Sequence, residues 1–148
     1  MSRINPEQSV IVFDLDDTLY AEYEYKCSGI RAVTALVAKL YPEFGETELL
    51  EKIDADGNGW LDELCALCNF NSEEKKSLLW YYRLHTPVLT PYWHPQKLAA
   101  FIRRFAAAAL ITDGRSLTQR LKLDALGIRY LFDEILVSES SGQEKPDG

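Results

Sequence analysis

The apolar run Val10-Ile11-Val12-Phe13 is followed without a break by Asp14-Leu15-Asp16-Asp17-Thr18. A short run rich in β-branched residues reads as a strand buried on both faces, as in a parallel sheet. The acidic segment then falls at the carboxyl end of that strand, where parallel sheets place their ligand sites. Three carboxylates within four positions repel one another. They become tolerable when a hard divalent cation sits among them, and carboxylate oxygens suit Mg²⁺.

The rest of the chain surrounds this strand with helical patterns. Ile30, Val33, Thr34, Val37, Leu40 and Tyr41 recur at helical spacing, continued by Leu49, Leu50 and Ile53 and by Leu61, Leu64, Cys65 and Cys68. Asn71 with Glu74 predicts a capping box before Leu78, Leu79 and Tyr82. Pro87, Pro91 and Pro95 mark a connector. Residues 96–105 read as a helix with Leu98, Phe101, Ile102 and Phe105 on one side. Residues 106–111 are ambiguous, because alanines favour helix. The turn signal Thr112-Asp113-Gly114 directly after them argues for a strand end. Ser116 and Gln119 predict a second capping box, with Leu117, Leu121 and Ala125 as the helix face and Gly127 as its stop. Residues 132–138 read as a further strand and 141–148 as a loop. This alternation predicts an α/β fold with a parallel sheet.

Lys plus Arg is 16 and Asp plus Glu is 23, a net charge of −7. A surface that acidic argues against charge-driven binding to nucleic acid or anionic membranes. No apolar stretch approaches the roughly 18 residues of a membrane span, and Val10-Ile11-Val12-Phe13 is too short for a signal peptide. Three cysteines make no paired disulfide framework. The expectation is a cytoplasmic protein with reduced thiols.

Three polar turns fall at strand ends: residues 14–18, residues 112–116 and the tail around Lys145. A metal-held carboxylate can attack phosphorus and form an aspartyl phosphate. A second carboxyl group nearby can protonate the leaving oxygen and then activate water. A hydroxyl, backbone N–H groups before a helix and one lysine would neutralise the phosphoryl group in transfer.

Asp14-Leu15-Asp16-Asp17-Thr18-Leu19-Tyr20 resembles the first motif of the haloacid dehalogenase-like (HAD) superfamily. Leu110-Ile111-Thr112-Asp113-Gly114-Arg115 is similar to its second motif and Lys145-Pro146-Asp147 to its third. The resemblance implies a Rossmann-like core and Mg²⁺ as cofactor. It implies Asp14 as nucleophile and metal ligand. Asp16 is implied as general acid/base, with its backbone carbonyl also on the metal. Thr112, with Asp113 and Gly114 in the same turn, is implied to bind the phosphoryl group, and Lys145 to neutralise it. Family members that cleave carbon–halogen or carbon–phosphorus bonds lack an acid at the Asp16 position. Its presence implies phosphoryl transfer, most often hydrolysis of a small phosphorylated metabolite.

Roughly seventy residues separate Tyr20 from the helix before the second motif, enough for a separate helical unit. The interval from Asp113 to Lys145 holds only one helix and one strand. The insertion thus resembles the superfamily's helical cap. The expected division is a core of residues 1–20 and 95–148 and a cap of residues 21–94.

The family's fourth motif, an acidic turn after a further strand, has no counterpart before the last residue. The expectation is the front part of a longer family member, an HAD-like core incomplete at the C-terminus. Metal affinity would then be reduced, and Val10-Ile11-Val12-Phe13 would form an exposed sheet edge through which the chain self-associates. The alternative function is a catalytically incompetent fragment that binds phosphate or a partner chain.

Residues 54–62 resemble a calcium loop, yet its twelfth position, which should be a bidentate Glu, is Cys65. They are expected to be a Gly/Asp-rich turn between helices. Cys65 and Cys68 lack a second pair or a suitably spaced His and are expected to be core thiols. His85 and His94 show no ligand pattern. Tyr20, Tyr23 and Tyr25 suit either a pocket wall or packing. Trp80-Tyr81-Tyr82 is expected in a core, and Arg115 in solvent.

Overall fold

The computed structural model describes residues 4–141. Its strands are β1 (Val10–Phe13), β2 (Ala107–Thr112) and β3 (Glu134–Val137). Its helices are α1 (Glu22–Leu40), α2 (Glu46–Lys52), α3 (Trp60–Cys68), α4 (Ser72–Leu84), α5 (Pro95–Ile102), α6 (Ser116–Leu126) and α7 (Ser138–Ser141). The chain forms two compact units. One combines Met1–Glu24 with Val88–Gly148, and the other is Tyr25–Pro87.

The first unit is an α/β layer structure around a parallel sheet of order β1-β2-β3. Phe13 lies opposite Leu110, and Thr112 opposite Val137. The polar turns after β1 and β2 and the start of α7 after β3 therefore share the carboxyl edge of the sheet. The alanine run is the central strand. It is paired on both sides and buries Ala108, Leu110 and Thr112, so ladder formation overrides the helical preference of alanine. Asp133 closes the opposite end, where its carboxylate accepts the Ala108 N–H at 2.8 Å and its own N–H donates to the Ala108 carbonyl at 2.8 Å.

The fold departs from three expectations. β1 is not buried on both faces. Val10 and Val12 are 60% and 54% exposed, while Ile11 and Phe13 are half-buried. Among the described strands β1 pairs only with β2, and one of its faces is uncovered, so burial alternates along it. The buried face of α6 is not Leu117, Leu121 and Ala125 but Gln119, Lys122, Leu123 and Leu126, and Leu117 is 63% exposed. The capping box also fails, because Arg115 is the cap residue and Gln119 turns into the core. Gly127 does end the helix, in the left-handed region at φ 71°.

The second unit is helical. Ile30, Val33 and Val37 of α1 share a core with Leu49, Leu61, Leu64 and Leu78. The Asn71–Glu74 capping box forms, with reciprocal bonds of 2.8 and 2.9 Å. Cys65 and Cys68 are buried core thiols. Trp80 and Tyr81 are exposed, against expectation. Only Tyr82 faces inward, against Tyr25 and Trp60, because three consecutive helical positions cannot share one face. His85 is buried, its Nδ1–H donating to the Tyr82 carbonyl at 2.5 Å and its Nε2 accepting from Ser28 at 3.1 Å. In the turn at residues 54–62, Asp54 accepts the Asp56 N–H at 3.0 Å, and Asp62 pairs with Lys75 at 2.5 Å. Among the described residues no helix is long and apolar enough to cross a membrane.

Candidate active site

The chain leaves β1 through a tight acidic turn. The N–H groups of Thr18 and Leu19 return to the Leu15 carbonyl at 3.2 and 2.9 Å, and Leu15 itself is fully buried. Asp17 takes a left-handed conformation at φ 60°, which short polar side chains tolerate. Its carboxylate accepts the Glu22 N–H at 2.8 Å and so caps α1. The turn thereby separates its acids. Asp17 serves the helix, Asp14 is half-buried beside Thr18, whose hydroxyl lies 3.4 Å from Asp14 Oδ2, and Asp16 points inward.

Asp16 is held on both oxygens. Lys122 Nζ, almost fully buried, donates to Oδ1 at 2.9 Å, and the hydroxyl of the buried Tyr20 donates to the same oxygen. Gln119 Nε2 donates to Oδ2 at 3.0 Å and to the hydroxyl of Thr112 at 2.7 Å. Burial alone would raise the Asp16 pKa. The Lys122 charge and the hydrogen bonds from Tyr20, Lys122 and Gln119 outweigh it and hold the carboxyl below its ordinary range. Asp16 is therefore ionised. Glu22 is shifted the other way, raised by burial and then by the nearby charges of Asp16, Asp17 and Asp14.

The second turn lies beyond β2. Thr112 is buried, while Asp113 and Gly114 are exposed. Gly114 has φ 136°, a conformation that favours glycine. Its N–H donates to Ser138 Oγ at 2.9 Å, and the Ser116 N–H donates to Glu139 Oε1 at 3.2 Å. Arg115, expected in solvent, also meets Glu139, at 3.6 Å. The backbone donor of Gly114, a residue expected to bind the phosphoryl group, and that of Ser116 beside it are thus engaged by side chains at the start of α7. Lys145 and most of the tail expected as a loop lie outside the described residues.

The structure joins Asp16 to Thr112 through Gln119, and Asp14, two residues before Asp16, meets Thr18 within the first turn. Gln119 and Lys122 were missed as site residues. Their spacing of three with Leu123 and Leu126 on the same face was the available signal, but polar residues on a buried face do not register as hydrophobic periodicity.

Among the described residues no three His, Cys, Asp or Glu side chains form a ready-made metal cluster. The donor set nevertheless fits a hard cation that keeps most of its waters. Asp14 offers carboxylate oxygens, and the charges of Asp16, Asp17 and Asp14 add to burial in raising the Glu22 pKa. The Asp16 carboxylate is already committed to Lys122, Tyr20 and Gln119.

The profile of the haloacid dehalogenase-like hydrolases matches residues 11–148. The chain belongs to this family. It is similar to the glyceraldehyde 3-phosphate phosphatase of Methanocaldococcus jannaschii, 32% identical over 147 residues that cover 92% of this chain and 64% of that protein. The glyceraldehyde 3-phosphate phosphatase of Methanopyrus kandleri is 29% identical over 150 residues, covering 93% of this chain and 64% of its own length. This HAD chain thus spans a little under two thirds of the curated relatives it matches. Among solved structures it resembles the magnesium-bound HAD-hydrolase YfnB of Bacillus subtilis, with a TM-score of 0.60 at 18% identity, covering 95% of this chain and 68% of that one. That likeness concerns the fold.

Proposed function

We propose that this chain carries the nucleophilic and acid–base part of a Mg²⁺-dependent phosphatase acting on a small phosphorylated metabolite. The observation that carries this reading is the bridge from Asp16 through Gln119 to Thr112. It supports a shared site by linking a carboxylate and a hydroxyl from two separate turns, the carboxylate two residues along the chain from Asp14. The relatives' activity makes a triose phosphate, glyceraldehyde 3-phosphate, the first substrate to try.

In this reading an Asp14 carboxylate oxygen attacks phosphorus, and the bond from phosphorus to the alcohol oxygen breaks. The alcohol oxygen takes a proton from Asp16, which must first be protonated against the pull of Lys122. Water then attacks the phosphorus of the aspartyl phosphate, the bond from the Asp14 oxygen to phosphorus breaks, Asp16 accepts the proton of the water, and inorganic phosphate leaves. The ionised state of Asp16 suits this second half directly. Thr112, the Asp113-Gly114 turn and Lys145 would hold the phosphoryl oxygens. Asp14 and the Asp16 carbonyl would hold Mg²⁺, which when bound offsets the charge of nucleophile and phosphate.

The test is phosphate release from glyceraldehyde 3-phosphate and from p-nitrophenyl phosphate, compared between the parent and Asp14→Asn. Release that disappears with the substitution and with EDTA is expected. Equal release from both proteins would sink the reading. A second reading is a chain that binds phosphate or a partner without turnover. The commitment of both Asp16 carboxylate oxygens to Lys122, Tyr20 and Gln119 favours it. It predicts calorimetric binding of inorganic phosphate with no hydrolysis.

A further inference from the structure

Gln119 makes a connection that no residue of either turn makes for itself. Its side chain is 2% exposed, and one nitrogen serves two acceptors on elements far apart in sequence. A primary amide carries two N–H bonds in one plane at a fixed angle. Spending one on Asp16 Oδ2 and the other on Thr112 Oγ1 sets the separation of those two groups. The amide's orientation is settled by chemistry, since the flipped rotamer would set its carbonyl oxygen against an ionised carboxylate. Two further features hold the amide there. A Cβ at residue 114 would lie 3.0 Å from Gln119 Cδ and 3.1 Å from its Cγ, so the glycine lets the second turn close over this side chain. Lys122, one helical turn on and on the same face of α6, grips the other Asp16 oxygen.

We infer that Gln119 is a positioning residue of this hydrolase: its amide locks the acid–base carboxylate of Asp16 to the Thr112 hydroxyl, so that the two turns meet the substrate as one rigid surface. The inference rests on the phosphatase reading. Gln119 touches no reacting atom. Its effect is on how often Asp16 and Thr112 stand at the productive separation.

The experiment combines a structural and a kinetic readout on the full chain. The ¹⁵N–¹H signals of the Gln119 side-chain amide should be protected from solvent exchange. They should move in Asp16→Asn and in Thr112→Val, and return towards the parent in Thr112→Ser. With p-nitrophenyl phosphate, Gln119→Met should lower kcat roughly 10- to 100-fold, the scale of loss when catalytic groups are displaced without being removed. KM should stay within about twofold, because binding groups remain. The amide shifts in Asp16→Asn and Thr112→Val read the bridge in chains that keep Gln119, a check that does not depend on Gln119→Met folding. Amide signals indifferent to both Asp16→Asn and Thr112→Val would overturn the bridge. Shifted signals with an unchanged kcat in Gln119→Met would reduce it to a structural contact and overturn the positioning role. If aryl phosphate turnover survives Asp14→Asn, the phosphatase reading fails while the amide shifts still report the bridge. A parent without turnover overturns the positioning role together with that reading.

Discussion

The chain contains two acidic turns with similar residues and opposite fates. Residues 14–18 place one carboxylate inward, onto a buried lysine, a buried tyrosine and a buried glutamine. Residues 54–62 keep their acids at the surface, where Asp54 closes its own turn and Asp62 meets a half-exposed lysine. Composition does not distinguish them. What differs is the element that packs against each. The first turn is backed by the buried face of α6, which carries Gln119 and Lys122 among leucines. The second precedes α3, whose buried residues, such as Leu61, Leu64 and Cys65, supply no donors of that kind. An acidic turn becomes a candidate site when the neighbouring helix supplies buried donors.

The sharpest way to break this contrast is Lys122→Met. It leaves the part-buried Asp16 carboxylate with its main opposite charge gone, and since removing one partner of a fully buried pair costs about 3 kcal/mol or more, a loss of roughly 2 kcal/mol is expected here. Urea denaturation followed by circular dichroism should show that loss, with Lys122→Arg recovering part of it. A variant within a few tenths of a kcal/mol of the parent would mean that Lys122 contributes little and that the two turns are alike after all.

The sheet, the stop at Gly127 and the Asn71 capping box were legible because each depends on local chemistry: β-branched residues before a turn, a glycine at positive φ, an Asn three residues before a Glu. The family was legible because its first motif is dense with acids. The wiring of Asp16 was not. A Ser-x-x-Gln pattern at a helix start reads as a cap, and only the packing of α6 reveals that the glutamine is needed inside. The exposure of Val10 and Val12 was equally invisible, since an apolar strand looks the same whether one face or both are covered.

Acid should separate the two units by pH window. In the helical unit, burial lowers the His85 pKa, against the opposing pull of its bond to the Tyr82 carbonyl. An unfolded histidine titrates near about 6.5. Between the two values the unfolded chain binds the extra proton, so the stability from a neutral His85 is full above about 6.5 and falls as pH drops through that window. Asp16 is also lowered, but from the carboxylate range. Its contribution is full above about 3.9 and is lost only as pH falls through its lower folded value. Denaturation midpoints measured from pH 8 downward should therefore weaken first for the His85 unit. His85→Gln should flatten that first decline and leave the second in place. A decline near neutrality that persists in His85→Gln would assign it elsewhere.

The smallest effect is expected at the second acidic turn. Asp62→Asn removes a surface ion pair whose partners remain solvated, and such pairs often contribute nothing measurable. Its denaturation midpoint should match the parent's. Calcium should not change this. A calcium loop needs its carboxylates free to converge on the ion and a bidentate acid at its end. Here Asp54 is bound to the Asp56 N–H, Asp62 is paired with Lys75, and the closing position is Cys65, a buried thiol whose pKa burial raises. Calorimetric titration with millimolar calcium should give no binding heat in either the parent or Asp62→Asn. Heat in the parent that vanishes in the variant would show that a surface turn without buried donors gathers a cation by itself, and the explanation of the first turn by its backing helix would then fall.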